Sequence, residues 1–173
     1  MSETRQKMIA STVSRTFGVP AALIALVALG CAEHPLSNSA SSAEELAQAV
    51  LDGLEAEDRE VLDALLVTEE EHRDLLWEHL PESNDLTFEV AREWNVRNSQ
   101  EGLGRALNKY GGTEFEFVRI EFTDDPEVYE TFTLHRGTKL WVRRVSDGEE
   151  GNLPILDVVL ELDGRWKLMN FEE

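Results

Sequence analysis

Apolar residues change their spacing at Gly111-Gly112, and this change limits the fold of the 173-residue chain more than any other feature. Before the two glycines, apolar side chains recur at helical intervals; after them, they alternate with polar ones. A run of helices followed by strands joined by tight turns is an α+β pattern, with helices packed on an antiparallel sheet. The expected architecture is three to five helices over 43–110, then a sheet of four or five strands over 113–173.

The first helix is the clearest. Ser42 precedes Ala43-Glu44-Glu45, a cap with acids in the first turn. Ala43, Leu46, Ala47, Val50, Leu51 and Leu54 then fall on one helical face. Asp58 can cap a second helix with the apolar pairs Val61-Leu62 and Leu65-Leu66. Thr68 and Glu71 match a capping box that opens a third, which carries Leu75, Leu76 and Leu80 and stops at Pro81. From Leu86 to Tyr110 the pattern predicts two pieces. Phe88, Ala91 and Trp94 share one face; Leu103, Ala106, Leu107 and Tyr110 share the other, behind a cap at Ser99. Gly102 and Gly104 each cost about 1 kcal/mol inside a helix. They follow no strand and spell no phosphate loop, so they read as a close-packing or breaking feature.

His72 and His79 lie near Glu69, Glu70 and Glu71 and invite a metal reading. Seven residues of helix rise about 10.5 Å, whereas metal–nitrogen bonds are about 2 Å. Both histidines are therefore expected to pack at the edge of the apolar stripe, and no metal is expected.

In the second half, residues 114–122 alternate, slip once at Phe117-Val118 as a β-bulge would, and alternate again. Asp124-Asp125-Pro126 and Asp147-Gly148 read as turns, Gly137 as a turn or kink, and Asp163-Gly164 as the strongest hairpin signal. Strands are expected over 128–134, 138–145, 153–162 and 165–171, besides 114–122.

The N-terminus carries an address. Arg5, Lys7 and Arg15 precede an uncharged run of 12 residues, Val19 to Gly30. That run falls short of the roughly 20 apolar residues a membrane span needs and fits the basic start and apolar core of a secretory signal. Ala28-Leu29-Gly30-Cys31 resembles the lipobox of bacterial lipoproteins, although Leu stands two rather than three places before the cysteine. The resemblance implies diacylglycerol on the Cys31 thiol, cleavage just before it, and a membrane anchor. Cys31 is the only cysteine, so it has no intramolecular partner, and lipidation accounts for it. Two acyl chains hold a protein at a membrane far better than one. Ala32 is not the Asp that, in that family, favours the inner membrane. The expected location is the bacterial envelope, at the outer membrane where the organism has one. Residues 1–30 are then the signal peptide, 31–42 a polar flexible tether, and 43–173 one domain.

Cleavage would leave 143 residues carrying 13 Lys plus Arg against 34 Asp plus Glu, a net charge of −21. Such a surface repels nucleic acid and anionic headgroups. With only three lysines left against ten arginines, the composition resembles that of proteins from salt-loving bacteria.

The final phrase Leu160-Glu-Leu-Asp-Gly-Arg-Trp-Lys-Leu168, coming after helices, resembles the end of the nuclear-transport-factor-2-like (SnoaL-like, cystatin-like) cone fold. That resemblance implies a curved sheet closing on helices around a pocket. Some members of the family are isomerases, dehydratases or cyclases; others bind ligands or dimerise. Enzymes of this kind need an acid or base in an apolar pocket and an oxyanion donor. Asp157, His135 and Tyr129 are the candidates, with Trp94, Trp141 and Arg143 as lining. Alternation puts Asp157 with Val159 and Glu161 on one strand face, which a solvated face explains. No serine-hydrolase, Cys/His, zinc-protease or phosphate-loop motif is present. The chain is therefore expected to be a non-catalytic envelope domain without a cofactor that binds a small apolar molecule or an envelope protein. The alternatives are a small-molecule isomerase or hydrolase of the same fold, and a structural homodimer.

Overall fold

The computed structural model describes residues 35–172. The basic and apolar N-terminal stretch, Cys31 and the cleavage position lie outside the described residues.

Helix α1 (Ala43–Glu55) starts at Ser42, whose side chain accepts a bond from the Glu45 amide. Its whole predicted stripe, Ala43 to Leu54, is buried. Helix α2 (Arg59–Ala64) is capped by Asp58, but only Leu62 is buried and Val61 stays exposed. Helix α3 (Glu69–Glu71) opens on the complete Thr68/Glu71 capping box. It then widens into one π turn, His72–Leu76, and tightens into a 3-10 turn, Trp77–His79. Pro81 ends this path and begins another 3-10 turn, Pro81–Asn84.

Helix α4 (Phe88–Tyr110) runs unbroken for 23 residues, where two pieces were expected. Ser99 does not cap a second piece; it is buried mid-helix, and its hydroxyl accepts a 3.3 Å bond from the Phe171 amide. Gly102 explains the continuity. A side chain there would run into the carbonyl of Glu172, so the glycine lets the end of the chain lie against the helix. Close packing offsets the helical cost of glycine.

Among the described residues, seven strands form two antiparallel sheets in place of a single meander of four or five. The strands are β1 (Phe115–Phe122), β2 (Glu127–Val128), β3 (Thr133–His135), β4 (Thr138–Arg144), β5 (Glu150–Leu153), β6 (Leu156–Leu162) and β7 (Arg165–Phe171). One sheet has the order β1-β4-β5 and the other β2-β3-β6-β7. The chain changes sheets at three punctuated points, the first being the Asp124-Asp125-Pro126 turn between β1 and β2. Gly137, at φ +61°, separates β3 from β4. Pro154, which has no N–H to continue a ladder, separates β5 from β6. The bulge in β1 is present, since Phe117 pairs with Val142 and Arg119 with Trp141. Asp163 and Gly164 both have positive φ, +50° and +72°, as a type I′ hairpin requires.

Strand β6 is covered on both faces. Leu156 and Val159 join Leu46, Val50, Leu54, Leu103, Leu140 and Phe171 in one core. Val158, Leu160 and Leu162 join Leu36, Leu76, Leu80, Phe132 and Leu134 in a second. Register shifts between Leu156 and Val159 carry Asp157 out of strict alternation. Val159, expected on a wet face, is consequently fully buried.

Residues 35–42 do not behave as the free tether that their polarity predicts. Leu36 and Ala40 are buried. Ala40 and Trp166 exchange two backbone hydrogen bonds of 2.9 Å. Ser37 donates to Glu71, and Arg165 donates to Ser39. Ser37 and Ser39 are thereby bonded to the domain, while Asn38 stays exposed. No helix among the described residues is long and apolar enough to cross a membrane.

Candidate functional site

A cavity of about 270 Å³ lies between the irregular turn region, α4 and the β2-β3-β6-β7 sheet. The π turn contributes His72, and the turns after it contribute Trp77, Leu80, Glu82 and Leu86. Helix α4 presents Ala91, Trp94 and Asn95, one helical turn of a single face. The floor is Leu134, Arg136, Asp157, Val158, Met169 and Asn170. Eight of the fourteen lining residues are apolar and six are polar, three of those charged, a mixture that suits a small-molecule site with both apolar and polar contacts.

Two of the charged groups are already engaged. Arg136 donates to both carboxylate oxygens of Glu127, at 2.6 and 3.4 Å. This bond raises the guanidinium pKa and lowers that of Glu127. Asp157 accepts a 2.6 Å bond from the Asn170 amide.

His72 is different. Its side chain is buried, the residue being only 4% exposed, and neither ring nitrogen has a hydrogen-bond partner among the described residues. It packs edge-on against Trp77 and Phe88, at ring distances of 6.2 and 5.4 Å. Burial, helped by the positive charge of Arg92, pulls its pKa down to about 4. The imidazole is therefore neutral at pH 7, with one N–H donor and one acceptor nitrogen.

No protein-family model, curated protein or solved structure matches this chain.

Of the six pocket residues expected from the sequence, only Trp94 and Asp157 line the cavity. His135 sits elsewhere, its Nε2 3.1 Å from Glu161 and its ring stacked on Trp166 and tilted against Phe122. Tyr129 stacks on Phe132 and donates to Glu127. Trp141 donates to Glu121 and lies under the Arg119 guanidinium. Arg143 pairs with Glu116 and Glu150. Trp141 and Arg143 thus belong to a charged network on β1-β4-β5 and not to a pocket. Asp157 and Glu161, expected on one solvated face, part company: Asp157 lines the cavity, and Glu161 pairs with His135.

Arg136, Asn95 and Asn170 were not singled out by sequence. Arg136 adjoins Gly137, where the chain changes sheets, and that glycine is the one local signal of its place. Of the two histidines expected to pack, His72 is buried, with unmet hydrogen-bonding capacity among the described residues, whereas His79 is exposed and meets the Phe132 ring edge-on at 6.1 Å. Among the described residues no group of three or more His, Cys, Asp or Glu could hold a metal ion.

A larger hollow of about 560 Å³ lies beside Pro35, Ser37 and Glu69–Glu71. It is an acidic surface groove whose one buried carboxylate, Glu71, is already used by Lys167, Ser37 and Thr68.

Proposed function

We propose that this chain is a non-catalytic, envelope-anchored binding domain that holds a small, largely apolar molecule in the cavity between α4 and the β2-β3-β6-β7 sheet. The observation that carries this reading is the cavity itself, lined by eight apolar and six polar residues. An engineered cavity of 150 Å³ takes benzene, so about 270 Å³ suits an occupant of roughly ten to twelve non-hydrogen atoms. Arg136 and Asp157 have partners of their own, which favours holding a ligand over transforming it. The outer charged network of Arg119, Glu121, Arg143 and Glu150 offers little apolar area for a sheet-to-sheet dimer.

We read the helix-then-strand order and the helix-to-sheet cavity as a nuclear-transport-factor-2-like cone. The anchor is a lipid on Cys31, supported by the basic start, the short apolar run and the solitary cysteine. The location is the bacterial envelope, at the outer membrane where there is one.

A thermal-shift screen of neutral molecules of about ten heavy atoms tests the binding reading. Hits should raise the midpoint of the unaltered chain and lose their effect in Ala91→Phe, which fills the cavity. Equal shifts in both proteins, or none in either, would count against it.

One observation favours a second reading, isomerase or hydrolase chemistry in the same cavity: Asp157 and His72 both line it. That reading requires turnover of a cavity-binding molecule that disappears in Asp157→Asn.

A further inference from the structure

His72 combines three properties that are costly together. It is 4% exposed, both ring nitrogens lack a partner among the described residues, and it lines the cavity. Buried polar atoms in native structures are nearly always paired, and an exception calls for a missing water or ligand. An apolar side chain would fill the gap between Trp77 and Phe88 without that cost. The backbone also departs from ordinary helix at this residue, since the π turn His72–Leu76 begins there. Such turns occur disproportionately at functional sites.

The surroundings narrow the ligand's chemistry. Trp77 and Trp94 line the cavity and give it aromatic surface against which a ring can pack. The charges on the cavity wall are Glu82, Asp157 and Arg136, and Arg136 is already paired with Glu127. An anionic ligand would meet two carboxylates with no unpaired cation on the wall among the described residues, whereas a neutral one meets no such penalty. A neutral imidazole can give one hydrogen bond and take another.

We propose that the cavity takes a neutral aromatic molecule bearing a hydroxyl or carboxamide, and that His72 turns about its soft terminal torsion to hydrogen-bond that group. The inference rests on the cavity being a ligand site, and it adds the chemical class and the residue that selects it.

The test uses the full chain with p-cresol, benzamide, toluene and benzoate as probes, their affinities measured by ligand-observed NMR. p-Cresol and benzamide should bind about tenfold tighter than toluene, and benzoate should bind weakest. In His72→Phe the preference for p-cresol over toluene should vanish while toluene still binds. In the unaltered chain labelled with ¹⁵N-histidine, the His72 ring nitrogens should shift with p-cresol and stay put with toluene, a readout that needs no variant to fold. Equal binding of toluene and p-cresol, a preference that survives in His72→Phe, or unmoved His72 nitrogens would overturn the role of His72 and leave the cavity reading intact. Failure of all four probes would overturn both.

Discussion

The Lys167 Nζ lies 2.7 Å from Glu71 Oε2, with the two side chains 0% and 6% exposed. This pair joins β7 to the α3 capping box, and Ser37 completes it with bonds to both partners. Burial would raise the Glu71 carboxyl, but bonds from Lys167, Thr68 and Ser37 outweigh it and hold the group below its usual range. Removing one partner leaves a charge buried alone, at a cost of about 3–5 kcal/mol. Lys167→Met should therefore lose roughly that much stability in urea denaturation. The double variant Lys167→Met/Glu71→Gln should recover part of it, and a double variant no more stable than the single would show that the pair is not the source.

Acid should weaken the fold through His72 before it reaches the carboxylates. The folded pKa is about 4, below the ordinary 6.5, so the unfolded chain binds the extra proton first. Stability contributed by the neutral ring is whole above about pH 6.5 and is lost as pH falls towards 4. The shift corresponds to a loss on the order of 3 kcal/mol. Urea midpoints between pH 7 and 4.5 should fall in the unaltered chain and flatten in His72→Phe. Parallel curves for the two would remove His72 as the cause.

Two glycines on α4 should respond in opposite directions to alanine. A Cβ at Gly102 meets the Glu172 carbonyl and comes within 3.0 Å of the Phe171 carbonyl carbon, both of them backbone. Gly102→Ala should cost about 1–3 kcal/mol by overpacking, despite the better helix propensity. A Cβ at Gly104 meets nothing within 4 Å among the described residues, so Gly104→Ala should gain up to about 1 kcal/mol. Thermal midpoints of the two variants decide it; a stabilised Gly102→Ala would contradict the close approach.

Anchoring has its own check. Cys31→Ser in cells should abolish incorporation of labelled fatty acid and release or misprocess the protein. Membrane-bound, label-positive Cys31→Ser would remove Cys31 as the lipidated residue.

Much of the local structure was legible in the residues themselves. The caps at Ser42, Asp58 and Thr68, the α1 stripe, the β1 slip and the Asp163-Gly164 hairpin are short-range events, each set by residues a few positions at most from their neighbours in the pattern. The candidate site was legible only in part. Trp94 and Asp157 were found, but His135, Tyr129, Trp141 and Arg143 were placed in a pocket they do not line. Alternation along a strand says which side chains share a face. It does not say which sheet the strand joins or what covers that face. Gly137 marks a break in the chain, yet the departure of β3 and β4 into different sheets depends on partners far away in sequence.

The amino-acid order alone determined the α+β succession, the helix caps and the tight turns, because these depend on local hydrogen bonds and on the period of apolar residues. Tertiary structure decided the rest. It buried Lys167, which nothing in the alternation of β7 marks as a core residue, because Glu71 comes from 96 positions away to meet it. It docked residues 35–42, because Ala40 pairs with the Trp166 backbone, Ser37 bonds to Glu71, and Leu36 and Ala40 are buried. It also left His72 buried beside a cavity without a hydrogen-bond partner among the described residues, since packing around a π turn fixes the surroundings of a side chain, and spacing along the chain does not.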